Sequence, residues 1–492
     1  MNAEVESATS LEVRLSEANT AIEWTRHPFD THLTVNHLPP EILAHIFYLV
    51  VDVQPCANRD YGASISEQGQ IYPAALSQAC SLWRAIVLNT PTLWSHIDIS
   101  TSTDLNRLRL NSLVELHLSH ISQIPLDLHI FDPKDYVVSS LSSHQSLHEL
   151  IAKLASRTSS FHLDPGYTYN HDIHGPILSI FFKVVHDHDY NSGFITPEDD
   201  PDDDGMGISL PLEQFEAILS GVSILHLDRM FPRWTSRAYH GLVELRLNGT
   251  YSSINESDLI GILRSSPDLR ILELGLDIDE PLPVDAPVIG IPLNNLEALN
   301  LCPLLCKNLA ILLRWLAPGP NPLQFAVQQG TYENLEVKES LGSFFVRSEV
   351  TRAYGKGLDF SLIIELLALS PKVQKLVISC AQFDSSGPLR REDIASTVLN
   401  CQLEYLCMIH SSVHMENILA LISTPAFIVK TVALHWCTFF RDGARVPRDQ
   451  EDSILGELHK SHPQVTFIIR RSEEANPARN WDLFASYDDL HV

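Results

Sequence analysis

The sequence predicts an α/β protein in which a small N-terminal helical unit precedes a long array of strand–helix repeats. Three observations favour this fold. An apolar helix pattern lies at residues 36–50, a leucine pattern recurs every 27 residues from residue 242, and helix patterns alternate with the strand patterns that follow. A chain of 492 residues with 45% hydrophobic residues is long enough for two or three ordinary domains or one repeat array.

Charge and composition exclude several classes of function. The formal net charge of −27 argues against a broad DNA or RNA surface, because phosphate binding relies on clustered Lys and Arg. Residues 1–30 hold several glutamates and no long apolar run, and no apolar stretch of ~18 residues occurs elsewhere, so neither a secretory signal nor a membrane span is expected. Eight cysteines without a regular framework fit reduced thiols in the cytoplasm, the nucleus or both.

Helix patterns account for the first 100 residues. Apolar residues at helical spacing within residues 1–30 predict an amphipathic helix that packs locally or binds a partner. In the unit at 31–100, Pro39 and Pro40 suit a first helical turn, and Glu41 meets the positive helix end. After a polar loop, the stretch YPAALSQACSLWRAIVLNTPTLW carries apolar residues that can cover the first helix. A three-helix unit this small covers its own apolar surface poorly, which favours an interface.

Two segments of this unit, LPPEILAHIF (38–47) and ACSLWRAIVLNTPTLW (79–94), resemble the F-box in the version found in many mushroom-forming fungi. The resemblance covers roughly residues 36–98, with a loop at 53–71 that is longer than in the shortest F-boxes. It implies that the unit binds the Skp adaptor of an SCF-type ubiquitin ligase and, through it, a cullin. The alternative is burial of the same residues against the chain's own downstream domain. The implied adaptor-binding residues are Leu38, Pro39, Glu41, Ile42, Leu43, Phe47, Trp83 and Trp94.

The leucine pattern LxxLxL begins at Leu242, Leu269 and Leu296, a spacing within the range of leucine-rich repeats. Degenerate copies occur at 222–227, 322–327, 373–378, 403–408 and 429–434, and 327–378 leaves room for one unclear unit. Helix patterns that stop before proline, such as ESDLIGILRSSP and MENILALISTP, lie between them. We therefore expect an irregular leucine-rich-repeat solenoid over 211–470, since a single strand–helix unit cannot bury its apolar residues alone.

The repeat departs from the usual pattern at its asparagine position, where only Cys437 matches. Residues 101–210 are predicted to be transitional strand–helix units with an acidic loop: a helix at 105–118, a strand at 124–131, a helix at 146–156 and a strand at 159–164. Residues 471–492 are expected to be a C-terminal tail.

No motif predicts catalysis, a cofactor or a metal. DPDDDG (200–205) starts like a calcium loop but has Pro211 where the twelfth-position Glu is required, so a solvated acidic loop is favoured. His186 and His188 alternate in a polar stretch of little specificity, and the cysteines lack paired CxxC spacing. No nucleophile with a recognisable base is present, so we expect a protein that is not an enzyme.

Three functions remain: a subunit that brings a protein target to a ubiquitin ligase, a non-ligase scaffold with the same modules, and, least favoured, an enzyme. Alternation along the strands points the leucines inward and the intervening residues to a concave face, which suits a protein target rather than nucleic acid or a membrane. The predicted target-binding residues are Arg246, Asn248, Glu273, Asn300, Lys375, Tyr405 and His435, with Glu244, Ile271, Val377, Ile409 and Lys430 as further candidates.

Overall fold

A computed structural model of the chain describes residues 35–52, 73–100, 114–121, 123–131, 154, 157–164, 183–186, 193–196, 216, 219–228, 230–283, 287–302, 304, 306–328, 335–381, 401–470, 478 and 481–484. The predicted helix within residues 1–30, the helix at 146–156 except for Leu154, and the acidic loop lie outside these residues. The chain divides into two compact units. The first comprises residues 1–54 and 71–93, and the second comprises 55–70 and 94–492.

The first unit contains three helices in its described part: α1 (Pro40–Asp52), α2 (Ala74–Ala79) and α3 (Ser81–Leu88). The Cys80 side chain caps α3 by accepting a hydrogen bond from the backbone N–H of Trp83. Helices α1 and α3 pack through the rings of Phe47 and Trp83, whose centroids lie 4.8 Å apart. The indole N–H of Trp83 donates to Asn36 Oδ1 at 2.9 Å. The predicted helices of this region are therefore present.

Thirteen parallel strands of the described residues form one sheet in the second unit, and their order in the sheet is their order in the chain. Each strand pairs with the next sheet strand, as expected where strand and helix alternate. These strands are β1 (His96–Ser100), β2 (Leu126–Phe131), β3 (Thr158–Asp164), β6 (Ile224–Asp228), β8 (Glu244–Asn255), β9 (Ile271–Asp279), β11 (Ala298–Asn300), β13 (Leu323–Gln328), β14 (Val350–Lys356), β15 (Lys375–Ser379), β16 (Cys401–Ile409), β18 (Phe427–His435) and β21 (Thr466–Arg470).

Helices connect neighbouring strands of this sheet and bury their apolar residues. They are α4 (Glu256–Ser265), α5 (Cys306–Trp315), α6 (Leu335–Arg347), α7 (Phe360–Leu369), α8 (Met415–Ile422) and α9 (Glu451–Ser461). Helix α7 begins where the Asp359 carboxylate accepts the N–H of Leu362 at 2.8 Å, as an N-cap does. The leucines of the predicted repeats, such as Leu245, Leu272 and Leu299, are fully buried. These leucines and the apolar sides of the helices form the core of the second unit.

Shorter strands flank the main sheet in three small sheets. Antiparallel β4 (Lys183–His186) and β5 (Gly193–Thr196) join β7 (Met230–Pro232), and β10 (Ile291–Leu293) pairs with β12 (Leu316–Pro318). The third sheet contains β17 (Ser412–His414), β19 (Thr438–Arg441) and β20 (Ala444–Arg445).

Three strands in the C-terminal part of the sheet are followed by the same kind of turn. Cys380, His410 and Trp436 directly follow β15, β16 and β18, and each has a positive φ of 49–56°. Ser411, at the expected asparagine position, accepts the N–H of Ala381, and the Cys437 thiol donates to the carbonyl of Met408. These two side chains therefore link the turns and strands of neighbouring sheet positions.

Every predicted repeat strand from 222–227 to 429–434 is present, and helices lie within the predicted patterns at 256–267, 306–318, 360–371 and 415–425. The second pattern ends earlier than expected, because Leu316–Pro318 forms β12. The unclear stretch at 327–378 contributes α6, β14 and α7. Residues 96–100, within the range expected for the N-terminal unit, form β1 and pair with β2. No helix among the described residues is long and apolar enough to span a membrane.

Candidate functional site

One face of the sheet carries the residues that sequence reasoning assigned to target binding. Strand register places Arg246 beside Glu273 and Asn300 beside Glu273. The same transverse row continues through the whole sheet, and we call it the central row. Its members are Asp98, His129, His162, His226, Arg246, Glu273, Asn300, Ala326, Tyr354, Val377, Cys407, Ala433 and Ile468.

A second row lies two residues earlier in each strand, so its side chains emerge on the same face. We call it the flanking row and the two rows together the strand face. The flanking row contains His96, Asp127, Ser160, Ile224, Glu244, Ile271, Ala298, Gln324, Arg352, Lys375, Tyr405, Thr431 and Thr466. The central row is charged or polar from β1 to β11 and largely apolar from β13 to β21.

The apolar half of the strand face is covered by the chain's own C-terminal segment, defined here as Ala478 and residues 481–484. Ala478, Trp481 and Leu483 form one buried cluster with side chains of the central row, including Ala326 and Val377. The Phe484 ring lies 4.8 Å from that of Tyr354, edge to face. The guanidinium of Arg352 lies 5.9 Å from the Trp481 ring centroid. The expected C-terminal tail is therefore, at these residues, part of the packed molecule.

Polar side chains of the strand face hold the backbone of the same segment. Arg246 donates to the carbonyls of Leu483 at 2.9 Å and Asp482 at 2.7 Å. Asn300 also donates to the Leu483 carbonyl, at 3.0 Å. Gln324 accepts the N–H of Asp482 and donates to its carboxylate, both at 3.1 Å. The Gln324 amide thus both accepts and donates, which fixes the position of Asp482 in the turn of this segment.

The predicted target-binding residues lie in the strand face or, for Asn248 and His435, two residues beyond its central row, but they differ in access. Arg246, Glu273, Asn300 and His435 are each 3% exposed. Arg246 and Asn300 contact the C-terminal segment directly, so these two cannot contact a target while it is in place. Arg246 forms an ion pair with Glu273 at 2.7 Å, and Asn248 donates to the other Glu273 oxygen at 2.6 Å. The other three predicted target-binding residues, Asn248, Lys375 and Tyr405, are half-buried.

The burial of His435 and Tyr405 also appears in their acid–base behaviour. Burial, and then the neighbouring Arg470, lower the pKa of His435, which keeps its imidazole neutral. Burial likewise raises the pKa of Tyr405.

Four histidines line the opposite half of the strand face, one on each of the first four strands. The ring centroids of His96 and His129 lie 4.4 Å apart, those of His129 and His162 3.9 Å, and those of His162 and His226 3.7 Å. Carboxylates contact the first and the last of them. His96 Nδ1 lies 2.7 Å from Asp127 Oδ2, and His226 Nε2 lies 2.6 Å from Glu244 Oε1. We call these residues, together with Asp98, the histidine row.

Burial and neighbouring charges set the protonation of the histidine row. Burial, and then the adjacent imidazoles of His129 and His226, lower the pKa of His162 well below its usual value. Burial alone would raise the pKa of Glu244, but the hydrogen bond from His226 and the charge of Arg246 lower it to about 2. Burial would also raise the pKa of Asp127, yet contact with His129 and His96 holds it well below its usual value.

Sequence reasoning missed both the histidine row and the C-terminal segment. A signal for the first is present in the strand sequences HIDIS, LDLHIF, TSSFHLD and ILHLD, each with a histidine at an alternating position. The expectation of no metal site considered His186 and His188. The structure describes His186 in the backbone of β4, and His188 lies outside the described residues.

The predicted adaptor-binding residues fall into two groups. Leu38, Pro39, Glu41 and Ile42 are exposed, whereas Leu43 and Phe47 are 0% and 2% exposed and form the core of the first unit. Trp83 is half-buried. Trp94 is 1% exposed and belongs to the second unit, where His117 and His120 contact its ring. The residues accessible for a direct adaptor contact are therefore the exposed group and, in part, Trp83.

Large hydrophobic side chains are exposed over much of the first unit. Ile42 and Leu49, seven residues apart, emerge on the same side of α1 because two helical turns separate them. We call the set the N-terminal apolar surface. Its members are Val35, Leu38, Ile42, Tyr48, Leu49, Val50, Leu82 and Leu88.

A scan of the chain against models of known protein families finds no match, and a search of curated proteins finds none. The resemblance to the F-box therefore rests on the residues of the chain itself.

Proposed function

We propose that this chain is the target-recognition subunit of an SCF-type ubiquitin ligase, in which an N-terminal F-box binds the Skp adaptor and a leucine-rich-repeat solenoid binds a protein target. The N-terminal apolar surface carries the proposal. Its leucines and isoleucine are 37–47% exposed on a unit of three short helices, and exposed apolar surface of this kind marks protein interfaces.

The F-box resemblance points to the adaptor as the partner, because Leu38, Pro39 and Ile42 are exposed and match its motif. Leu43 and Phe47, the buried motif residues, supply the packing that holds α1 against α3. Some residues of the motif are thus exposed for binding and others are buried to hold the helix in place, as a docking helix requires.

The solenoid part of the proposal is supported by the main sheet. Thirteen described strands are parallel, follow chain order and alternate with helices, the order in which strand–helix repeats stack. In this proposal the chain carries out no covalent chemistry. It raises the effective concentration of the target near the ubiquitin-conjugating enzyme, because one chain binds both the target and the adaptor.

Adaptor capture by purified full chain tests the proposal. In the double variant Leu38→Ala, Ile42→Ala, the affinity for the Skp adaptor should fall at least tenfold, because each side chain would lose about 1 kcal/mol of apolar burial. Circular dichroism should not change, since both side chains are exposed.

The matched control is Ile428→Ala, which truncates an isoleucine that is 55% exposed on the second unit. It should bind the adaptor like the unmodified chain. Undiminished capture by the double variant would reject the F-box assignment. Adaptor binding without recovery of a cullin would favour the alternative of a non-ligase scaffold.

A further inference from the structure

We propose that His96, Asp98 and His129 of the histidine row bind one divalent transition-metal ion of the zinc class, with Asp127 orienting the His96 imidazole. Three ligand atoms from two neighbouring strands converge at this place. His96 Nε2 lies 3.1 Å from Asp98 Oδ1, and His129 Nδ1 lies 3.7 Å from the same oxygen. All three atoms lie within 4.8 Å of one another.

These separations match a tetrahedral ion. Bonds of about 2.0–2.1 Å to nitrogen and oxygen place neighbouring ligand atoms about 3.3 Å apart. The two distances to Asp98 Oδ1 lie on either side of that value. Asp98 therefore needs little movement to share an ion with either imidazole.

Asp127 supplies the second, independent observation. Its Oδ2 lies 2.7 Å from His96 Nδ1, and its Oδ1 lies 3.3 Å from His129 Nε2. The first contact is a hydrogen bond in which the ionised carboxylate accepts, so Asp127 favours the His96 tautomer that carries hydrogen on Nδ1. His96 Nε2, which faces Asp98, is then the nitrogen that can bind an ion.

His96 Nε2 and Asp98 Oδ1 lie at hydrogen-bond distance, where a single proton bridges two of the three ligand atoms. A divalent ion that replaces this proton can bind all three. The arrangement of an imidazole ligand whose second nitrogen contacts a carboxylate is the common outer shell of zinc sites. Two imidazoles and one carboxylate suit zinc, cobalt, nickel or copper better than magnesium or calcium, which prefer oxygen ligands.

The site is open on one side. The side chains of Asp98 and His129 are 6% and 10% exposed, while that of His96 is 30% exposed. An ion can therefore enter past His96 and keep a coordination position for water or for a donor from a bound protein.

A neighbouring set, Asp127, His129 and His162, is the competing site. Its distances are 3.3 Å from His129 Nε2 and 3.9 Å from His162 Nε2 to Asp127 Oδ1. The His96 set is favoured because its distances to the shared oxygen are shorter and Asp127 is already engaged by His96 through its other oxygen.

Cobalt and zinc titration of the EDTA-stripped full chain tests the proposal. One Co²⁺ ion should bind per chain and produce visible d–d absorption, and Zn²⁺ should displace it. His96→Asn and Asp98→Asn should each lower the affinity at least tenfold, and Asp127→Asn should lower it about 10–100-fold, as loss of an outer partner does. His226→Asn, which removes an imidazole of the same row outside the set, should bind as the unmodified chain does.

His162→Asn separates the two sets. Retained affinity supports the His96 set, whereas loss of binding in this variant with retention in His96→Asn would overturn it. Binding that survives every substitution would overturn the assignment as well, as would no binding to the folded chain at millimolar Zn²⁺. Melting curves verify folding, and if Asp98→Asn fails to fold, the partly exposed His96 decides the outcome.

Discussion

At the scale of the residue, Glu256 is a buried carboxylate whose hydrogen bonds join several elements of the second unit. Its side chain is 0% exposed at the first turn of α4. One carboxylate oxygen accepts hydrogen bonds from Arg314, with Nε at 2.9 Å, and from the indole of Trp315, and the other accepts the N–H of Leu282. The carboxylate therefore joins α4, α5 and the segment after β9.

Burial alone would raise the pKa of Glu256, but the hydrogen bonds from Arg314, Trp315 and Leu282 lower it below its ordinary value. Glu256→Gln should reduce the free energy of unfolding by about 3 kcal/mol at pH 7, since the Arg314 charge loses its partner. A group whose folded pKa is depressed stabilises above its unfolded pKa and loses that effect as pH falls. The difference in unfolding free energy between Glu256→Gln and the unmodified chain should therefore shrink below about pH 4. Urea denaturation at about pH 7 and below about pH 4 would measure it.

The control for this prediction is Glu297→Gln. Glu297 also pairs with an arginine, Arg270, but at the surface, where the two side chains are 34% and 50% exposed. Such pairs contribute about 0–1 kcal/mol. If the two variants lost equal stability, the buried network at Glu256 would have no special role.

At the scale of the element, the C-terminal segment behaves as a short peptide ligand of its own sheet. It combines aromatic side chains in the apolar half of the strand face with backbone contacts to Arg246, Asn300 and Gln324. A target that uses the buried residues of the strand face must therefore displace it.

Trp481→Ala should loosen this segment because it removes an anchor that is 7% exposed. We expect the amides of residues 481–484 to exchange at least tenfold faster by hydrogen-exchange mass spectrometry, while those of β9 and β11 keep their rates. Loss of a buried tryptophan costs about 3–5 kcal/mol where its contacts are fully formed.

Trp436→Ala is the matched control, since that tryptophan is 37% exposed in the turn after β18. Unchanged exchange at residues 481–484 in Trp481→Ala would show that the segment is held by the polar contacts alone.

The strands could be predicted from the sequence, whereas the contacts across the strand face could not. The leucine spacing predicted β8, β9 and β11 because a strand with one buried face requires alternation, which is a local property of the chain. The occupation of the strand face depends on residues separated by more than 150 positions, such as Gln324 and Asp482, and no local pattern encodes that contact. The histidine row depends on strand register, which aligns His129 with His162 only after β2 and β3 pair. The single histidine in each strand carries no such information alone.

At the scale of the whole molecule, the second unit depends on continuity. Each interior strand of the main sheet pairs with the strands before and after it in that sheet, and the helices between them bury the other side. A break in the array leaves an unpaired parallel edge and an uncovered apolar face. The position of the break, rather than the number of residues removed, should decide the outcome.

Two truncations test this continuity. A chain that ends at residue 470 keeps all thirteen described strands of the main sheet and loses the C-terminal segment, whereas a chain that ends at 372 also loses β15, β16, β18 and β21. The first should remain monomeric but melt at lower temperature, because Trp481 and Leu483 no longer cover the strand face. The second should aggregate, because β14 becomes an open edge beside apolar side chains such as Tyr354. Size-exclusion chromatography with light scattering separates these outcomes. A monomeric 372-residue chain with undiminished helix and strand signals per residue would show that the repeats fold as independent pieces.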